Sequence, residues 1–261
     1  MFQTLMRSTP IWLFGLLIMA GCVVASEFGR FLHRRRTPRE DETKSSTEGY
    51  VVGAVFSLLA FMISVTFSIA VDRFDSKRAL VEHEASAILT SYQRAALLDE
   101  PGRTRLQGVL RSYAMSRVAL ERTWNTPNDE ALARTRLLQR TLWATALDAC
   151  YPLRTTSLAS SVIQAVNETL EMGSRRELAR LEFVPARVIL TLVLYLFVAS
   201  SVLGYMVDAN SGRRRALVYV LFALYTAAIT LVVDLDSPLE GAVRVPQAAL
   251  EQVAAAMSLN S

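Results

Sequence analysis

Four stretches without a charged residue set the pattern of the chain: Ser8–Ser26, Tyr50–Val71, Val188–Val207 and Ala216–Val233. Each has about the length, roughly 20 apolar residues, that a helix needs to cross a hydrocarbon core. Each is therefore expected to be a membrane span. The second does not stop at the water boundary. With no Pro or Gly to break it, the pattern passes through Asp72-Arg73-Phe74-Asp75 and Lys77-Arg78 into apolar positions at helical spacing, including Leu80, Val81, Ala85, Ile88, Leu89 and Tyr92. One long helix is predicted to leave the bilayer and continue to about Leu98.

The region from Asp72 to Arg187 lacks strand alternation and reads as successive helices. Glu100-Pro101-Gly102, Asn125-Thr126-Pro127-Asn128-Asp129 and Tyr151-Pro152 are breaks. Between them lie a helix over 103–123 with Leu106, Val109, Leu110, Tyr113 and Val118 on one side, and a helix carrying Leu132, Leu137, Leu138, Leu142 and Leu147. A third, from about Thr155 to Leu181, carries Leu158, Val162, Val166 and Leu170. The predicted fold is all-α, four transmembrane helices with a helical-bundle domain inserted between the second and third spans. Its divisions are a first span at 8–26, a basic loop at 27–48, a second span at 49–71, the bundle at 72–187, a third span at 188–207, a basic turn at 208–215, a fourth span at 216–233 and a tail at 234–261. The apolar period of Ala248, Leu250, Val253 and Met257 in that tail could dock on the bundle.

Net charge changes the picture through its placement. The formal charge of +4 comes from basic residues beside the spans, which speaks to membrane orientation and not to nucleic acid. Arg30, Arg34, Arg35, Arg36, Arg39 and Lys44 fill one short loop, and Arg213, Arg214 and Arg215 the other. By the positive-inside rule both loops are cytoplasmic, which puts the N-terminus, the bundle and the tail outside. The sequence Leu17-Ile18-Met19-Ala20-Gly21-Cys22 also permits a lipoprotein reading, but the apolar run continues past Cys22 and favours a small-residue helix face. Two cysteines and two histidines, His33 and His83, offer neither a disulfide framework nor a His-rich metal site.

Candidate chemistry is sparse. Within the second span Ser57, Ser64 and Ser68 share a narrow helical arc, beside a stripe of Phe56, Ile63 and Phe67. Small hydroxyl residues serve helix packing; they also suit a pore wall, where hydroxyls solvate an ion and Phe and Ile form a constriction. Around the span ends lies a juxtamembrane charged cluster of Asp72, Arg73, Asp75, Arg78, Glu84, Asp234 and Asp236. Glu82, His83 and Glu84 point about 100° apart and cannot share one metal. No His-Glu-x-x-His, phosphate loop or nucleophile elbow occurs, so neither an enzyme nor a cofactor is expected.

Gly49-Tyr50-Val51-Val52-Gly53-Ala54, the junction Asp72-Arg73-Phe74-Asp75 with Arg78, Leu80 and Val81, then Glu84-Ala85, Ala87-Ile88 and Asp234-Leu235-Asp236-Ser237-Pro238 with Gly241 resemble the bacterial bestrophin-like domain family. The resemblance runs from about Gly49 to Val245. It implies a distant similarity to bestrophins, pentameric anion channels whose pore is lined by the second helix, with Phe56, Ile63 and Phe67 as neck candidates. It further implies a homo-oligomer, chloride as the permeant ion and a multi-pass protein of the bacterial inner membrane with lipids as partners. It places the bundle in the cytoplasm, against the charge rule. The other reading is a non-conducting scaffold or sensor whose bundle binds a partner or ligand.

Overall fold

The structure is a computed structural model and describes residues 10–35, 44–122, 129–179, 182–206, 212–236 and 245–259. The breaks at 125–128 and 208–211, the loop residues Arg36 and Arg39, and Ser237, Pro238 and Gly241 lie outside them. The described residues form helices α1 (Ile11–Arg35), α2 (Lys44–Ala95), α3 (Gly102–Arg122), α4 (Asp129–Cys150), α5 (Ser157–Ala179), α6 (Ala186–Met206), α7 (Gly212–Asp236) and α8 (Ala248–Leu259), with a 3₁₀ turn at Tyr151–Leu153. Four of these, α1, α2, α6 and α7, are long and apolar enough to cross a membrane. The helix breaks fall where Pro interrupts the backbone donors: α4 stops one residue before Tyr151-Pro152, and Pro101 precedes α3.

Two compact units divide the chain: one comprises Met1–Arg73 and Phe183–Val243, the other Phe74–Glu182 and Arg244–Ser261. In the first, α1, α6, α7 and the early part of α2 share a core of Ile18, Cys22, Phe56, Leu59, Ile63, Leu196, Phe222 and Ile229. Two glycines let α1 and α6 touch backbone to backbone: a Cβ on Gly29 would overlap the Ser201 carbonyl, and one on Gly204 the Ser26 carbonyl. α1 also runs past the predicted boundary at Ser26 to Arg35. No proline breaks the helix there, Arg30 pairs with Glu27 at 2.7 Å, and His33, Arg34 and Arg35 suit the negative end of the helix dipole.

Asp236 resolves an oddity of the sequence, carboxylates at the C-terminal end of a helix, where its own dipole disfavours them. Both Asp236 oxygens accept the Val184 N–H, at 2.9 and 2.8 Å, just ahead of α6. The carboxylate thus sits at the positive N-terminal end of the antiparallel neighbour.

The second unit is a bundle of α3, α4, α5, α8 and the end of α2, with Val81, Ile88, Leu106, Leu110, Tyr113, Leu142, Val162, Val166, Leu250 and Met257 in its core. The buried stripe of α4 passes through Thr135, Leu142, Ala146 and Cys150, so Leu137 and Leu147, read as core positions, are exposed. Leu158 is likewise exposed and Ala159 takes its place in α5.

Candidate functional site

α2 is 52 residues long and presents two different faces. One side is covered throughout by the helix's neighbours in each unit: Phe56, Leu59, Ile63, Thr66 and Ala70, then Lys77, Val81, Glu84, Ile88, Ser91 and Ala95 are buried at steps of three, four and seven. The opposite side is open. Ser57, Ser64, Phe67 and Ser68 are exposed, together with Phe61. The stripe of Phe56, Ile63 and Phe67 therefore splits. The Phe56 ring packs against that of Tyr225 at 5.4 Å between centroids, its carbonyl accepts the Tyr225 hydroxyl at 3.1 Å, and Ile63 lies in the same core. Both face the chain's own spans, and only Phe67 stays on an open face.

Beyond the span the open side is acidic. Asp72, Asp75, Arg78 and Glu82 are exposed and lie within about 60° of the Ser57 direction at 100° per residue. Arg73 and Lys77 point about 160° away, the first half-buried and the second buried. The exposed Arg78 pairs with Glu82 at 3.2 Å.

The deepest polar site is in the bundle. Glu84 is fully buried, and from α3 Arg117 brings Nε to 2.6 Å from its Oε1 and donates from Nη2 to Oε2 at 3.1 Å. From α5, Arg176 donates to Oε2 at 2.7 Å and, with its other nitrogen, to the Gln247 side chain at 2.6 Å. The Tyr113 hydroxyl donates to Oε1 at 3.2 Å and is also hydrogen bonded with Gln139. Gly173 makes room: a Cβ there would overlap the Tyr113 hydroxyl. Burial alone would raise the pKa of Glu84, but the two guanidinium groups prevail and hold it below the usual carboxylate value. Burial pushes Tyr113 up to about 12, with Glu84 adding to the effect. Arg117 is raised, its burial outweighed by Glu84. Arg176 is lowered by burial and by repulsion from Arg117. The site thus sets one buried carboxylate between two guanidinium groups.

Of the predicted charged cluster, Glu84 belongs to this network and Asp236 to the α6 cap, while Asp234 is buried. Asp72, Asp75 and Arg78 are exposed. Sequence reasoning missed Arg117 and Arg176 and placed Tyr113 only on the apolar side of α3, although the spacing Leu106, Leu110, Tyr113, Arg117, Leu120 puts Arg117 on a buried stripe. The run Val162, Val166, Thr169, Gly173, Arg176 does the same for Arg176. Among the described residues no group of three His, Cys, Asp or Glu side chains could hold a metal ion.

Residues 8–250 match the Bestrophin-like domain. The chain belongs to that family. Solved structures of a bacterial bestrophin homologue from Klebsiella pneumoniae share its fold. One, with a tyrosine-to-alanine mutation, has a TM-score of 0.64 at 14% identity, covering 95% of this chain and 97% of that one. Another, phased on zinc, has a TM-score of 0.61 at 14% identity and the same coverage, 95% and 97%. No curated protein matches the chain significantly. This Bestrophin-like protein is all-helical, and its four apolar helices mark it as a membrane protein.

Proposed function

We propose that this Bestrophin-like protein is an ion channel of the bacterial inner membrane, in which several copies gather around an axis lined by α2. The observation that carries this reading is the open side of α2. Ser57, Ser64 and Ser68 stand at intervals of seven and four on an apolar span and are exposed among the described residues. Left against lipid, such a stripe wastes its hydrogen-bonding capacity; turned inward with its symmetry mates, it forms rings of hydroxyls that replace part of an ion's hydration shell. Phe61 and Phe67 supply the apolar constriction on the same open faces. The resemblance to bestrophins implies the same arrangement, a pore lined by the second helix of each subunit.

Resemblance to bestrophins implies anions, chloride first among them. The charges on this arc argue for cations: Asp72, Asp75 and Glu82 outnumber Arg78 there, and rings of carboxylates concentrate cations. The deciding experiment is purification, determination of mass and symmetry, and reconstitution into liposomes under a salt gradient. A closed ring with a cation-directed reversal potential is expected; a monomer, or a ring without flux, overturns the channel.

One feature favours the second reading, a ligand-sensing bundle. An open cavity of about 250 Å³ in the second unit is lined by Leu89, Tyr92, Gln93, Ala96, Gln107 and Met257. A ligand-induced shift in bundle stability without conductance would select that reading.

A further inference from the structure

The open side of α1 stays apolar beyond the uncharged stretch that ends at Ser26. Trp12, Leu16, Val24, Phe28, Phe31 and Leu32 are exposed on one broad side of the helix, opposite the buried Ile18, Cys22, Ser26 and Gly29. Phe28, Phe31 and Leu32, which follow the charged Glu27, are 58%, 49% and 43% exposed, a costly surface in water and a favourable one in lipid. For an upright helix rising about 1.5 Å per residue, Trp12 and Phe31 stand about 28 Å apart, close to the roughly 30 Å of a hydrocarbon core. Arg34 and Arg35, both exposed on the same side, then lie about 5 Å further out, at headgroup depth. Glu27 is taken up by Arg30 at 2.7 Å. The Arg35 guanidinium lies over the Phe31 ring, 4.3 Å from its centroid, and His33 meets the Tyr205 ring edge-on at 5.0 Å, which holds the last turn of α1 against the end of α6.

A second source of positive charge stands at the same end of this unit. α7 runs antiparallel to α1, with Thr230 beside Gly15 and Thr226 beside Cys22, so the half-buried Arg215 comes level with the last turns of α1. α7 opens with Arg213-Arg214-Arg215 and has no acidic residue in its first turn, a placement that its own dipole disfavours and an outside anion offsets. We propose that the end of α1, together with Arg215, is a binding surface for anionic phospholipid. The acyl chains lie along Phe28, Phe31 and Leu32, and the phosphate meets the guanidinium groups, whose planar fork matches its oxygens. A zwitterionic headgroup brings its own cation into this field and is repelled, whereas phosphatidylglycerol keeps one net negative charge. The surface belongs to the first unit alone and owes nothing to the proposed pore.

Tryptophan quenching by brominated lipids tests this on the full-length protein in phosphatidylcholine vesicles. Leu32→Trp in a Trp12→Phe background reads the end of α1, and Trp12 in the parent reads the opposite end of the same helix. The Trp12→Phe protein gives the baseline from Trp124 and Trp143. Each protein is titrated with dibrominated phosphatidylglycerol and with dibrominated phosphatidylcholine, with circular dichroism and oligomeric mass as checks on folding. Phosphatidylglycerol should quench the Leu32→Trp reporter with a preference of about fivefold, the order that one engaged arginine supplies at an anionic surface, and Trp12 with none. Arg34→Gln, Arg35→Gln and Arg215→Gln together should bring the preference close to one, while Arg34→Lys with Arg35→Lys should keep most of it. Equal quenching of the reporter by the two lipids overturns the proposal, and so does a preference that survives the three glutamine substitutions. An equal preference at Trp12 overturns it as well, since the attraction would then belong to the chain's net charge of +4 and not to this surface. Should the glutamine variant fail to fold, salt decides on the Leu32→Trp protein: the preference should fade between about 0.1 M and about 1 M salt as the charges are screened, and a preference that does not fade overturns the proposal.

Discussion

At the scale of single residues the network around Glu84 makes the sharpest predictions. Replacing Glu84 with Ala removes the anion that two buried guanidinium groups share, which costs on the order of 3–5 kcal/mol. Chemical denaturation of the purified protein should show that loss in the transition of the bundle. The pH dependence has a definite sign. The folded pKa of Glu84 lies below its unfolded value of about 4.3, so its ion pairs contribute in full above that value. The contribution disappears as pH falls through the lower folded pKa. Acid unfolding followed by circular dichroism should thus begin below about pH 4.3 in the parent and be less steep in Glu84→Gln, which is already weakened at neutrality. Gly173→Ala should also be disruptive, because its Cβ would overlap the Tyr113 hydroxyl and come within 3.3 Å of a Glu84 oxygen. The sequence exposed Glu84 as one charge in a crowd but hid its partners, which lie 33 and 92 residues away. A helical stripe predicts that Arg117 is buried; only the tertiary fold says which anion it meets.

At the scale of elements, the apolar runs and Pro breaks were enough to read the helical class, the four membrane-length helices and most breaks in the described residues. The end of α1 was not legible that way. A hydropathy boundary marks where hydrocarbon stops, whereas a helix runs on to a stronger stop, and residues 27–35 contain no proline. The side of α2 that its neighbours cover was equally hidden, since Phe56 and Phe61 look alike until α7 brings Tyr225 against the former. The Asp236 cap is an interaction between elements and can be tested as one. Asp236→Ala should weaken the start of α6 by about 1 kcal/mol, the usual worth of a cap, with Asp236→Asn falling between parent and Ala because it retains an acceptor and loses the charge. Thermal unfolding in one detergent, across the three proteins, gives the order. Gly204→Leu should do more damage than either, because the Ser26 carbonyl that its Cβ would meet is backbone and cannot swing aside.

At the scale of the whole molecule, the arrangement of charge on α2 decides what kind of ion the proposed assembly would carry. A ring of copies with Ser57, Ser64 and Ser68 turned inward brings Asp75 into line with the hydroxyls, while Arg73 and Lys77 point to the covered side. Glu82 shares its charge with Arg78 in a pair more than half exposed, 56% and 58%, so it contributes less to the field on the axis. Asp75 is therefore the residue to change. Asp75→Asn should move the reversal potential in a salt gradient towards zero, and Asp75→Arg should carry it across to the anion side, with fold and oligomeric mass unchanged. Salt gives an independent check, because the Debye length shrinks from about 10 Å at 0.1 M to about 3 Å at 1 M. If Asp75 acts through its field, the difference between parent and Asp75→Asn should be largest in dilute salt and fade as salt is raised. A parent selective for anions in dilute salt, indifferent to both substitutions, would place the conducting surface somewhere other than the open face of α2.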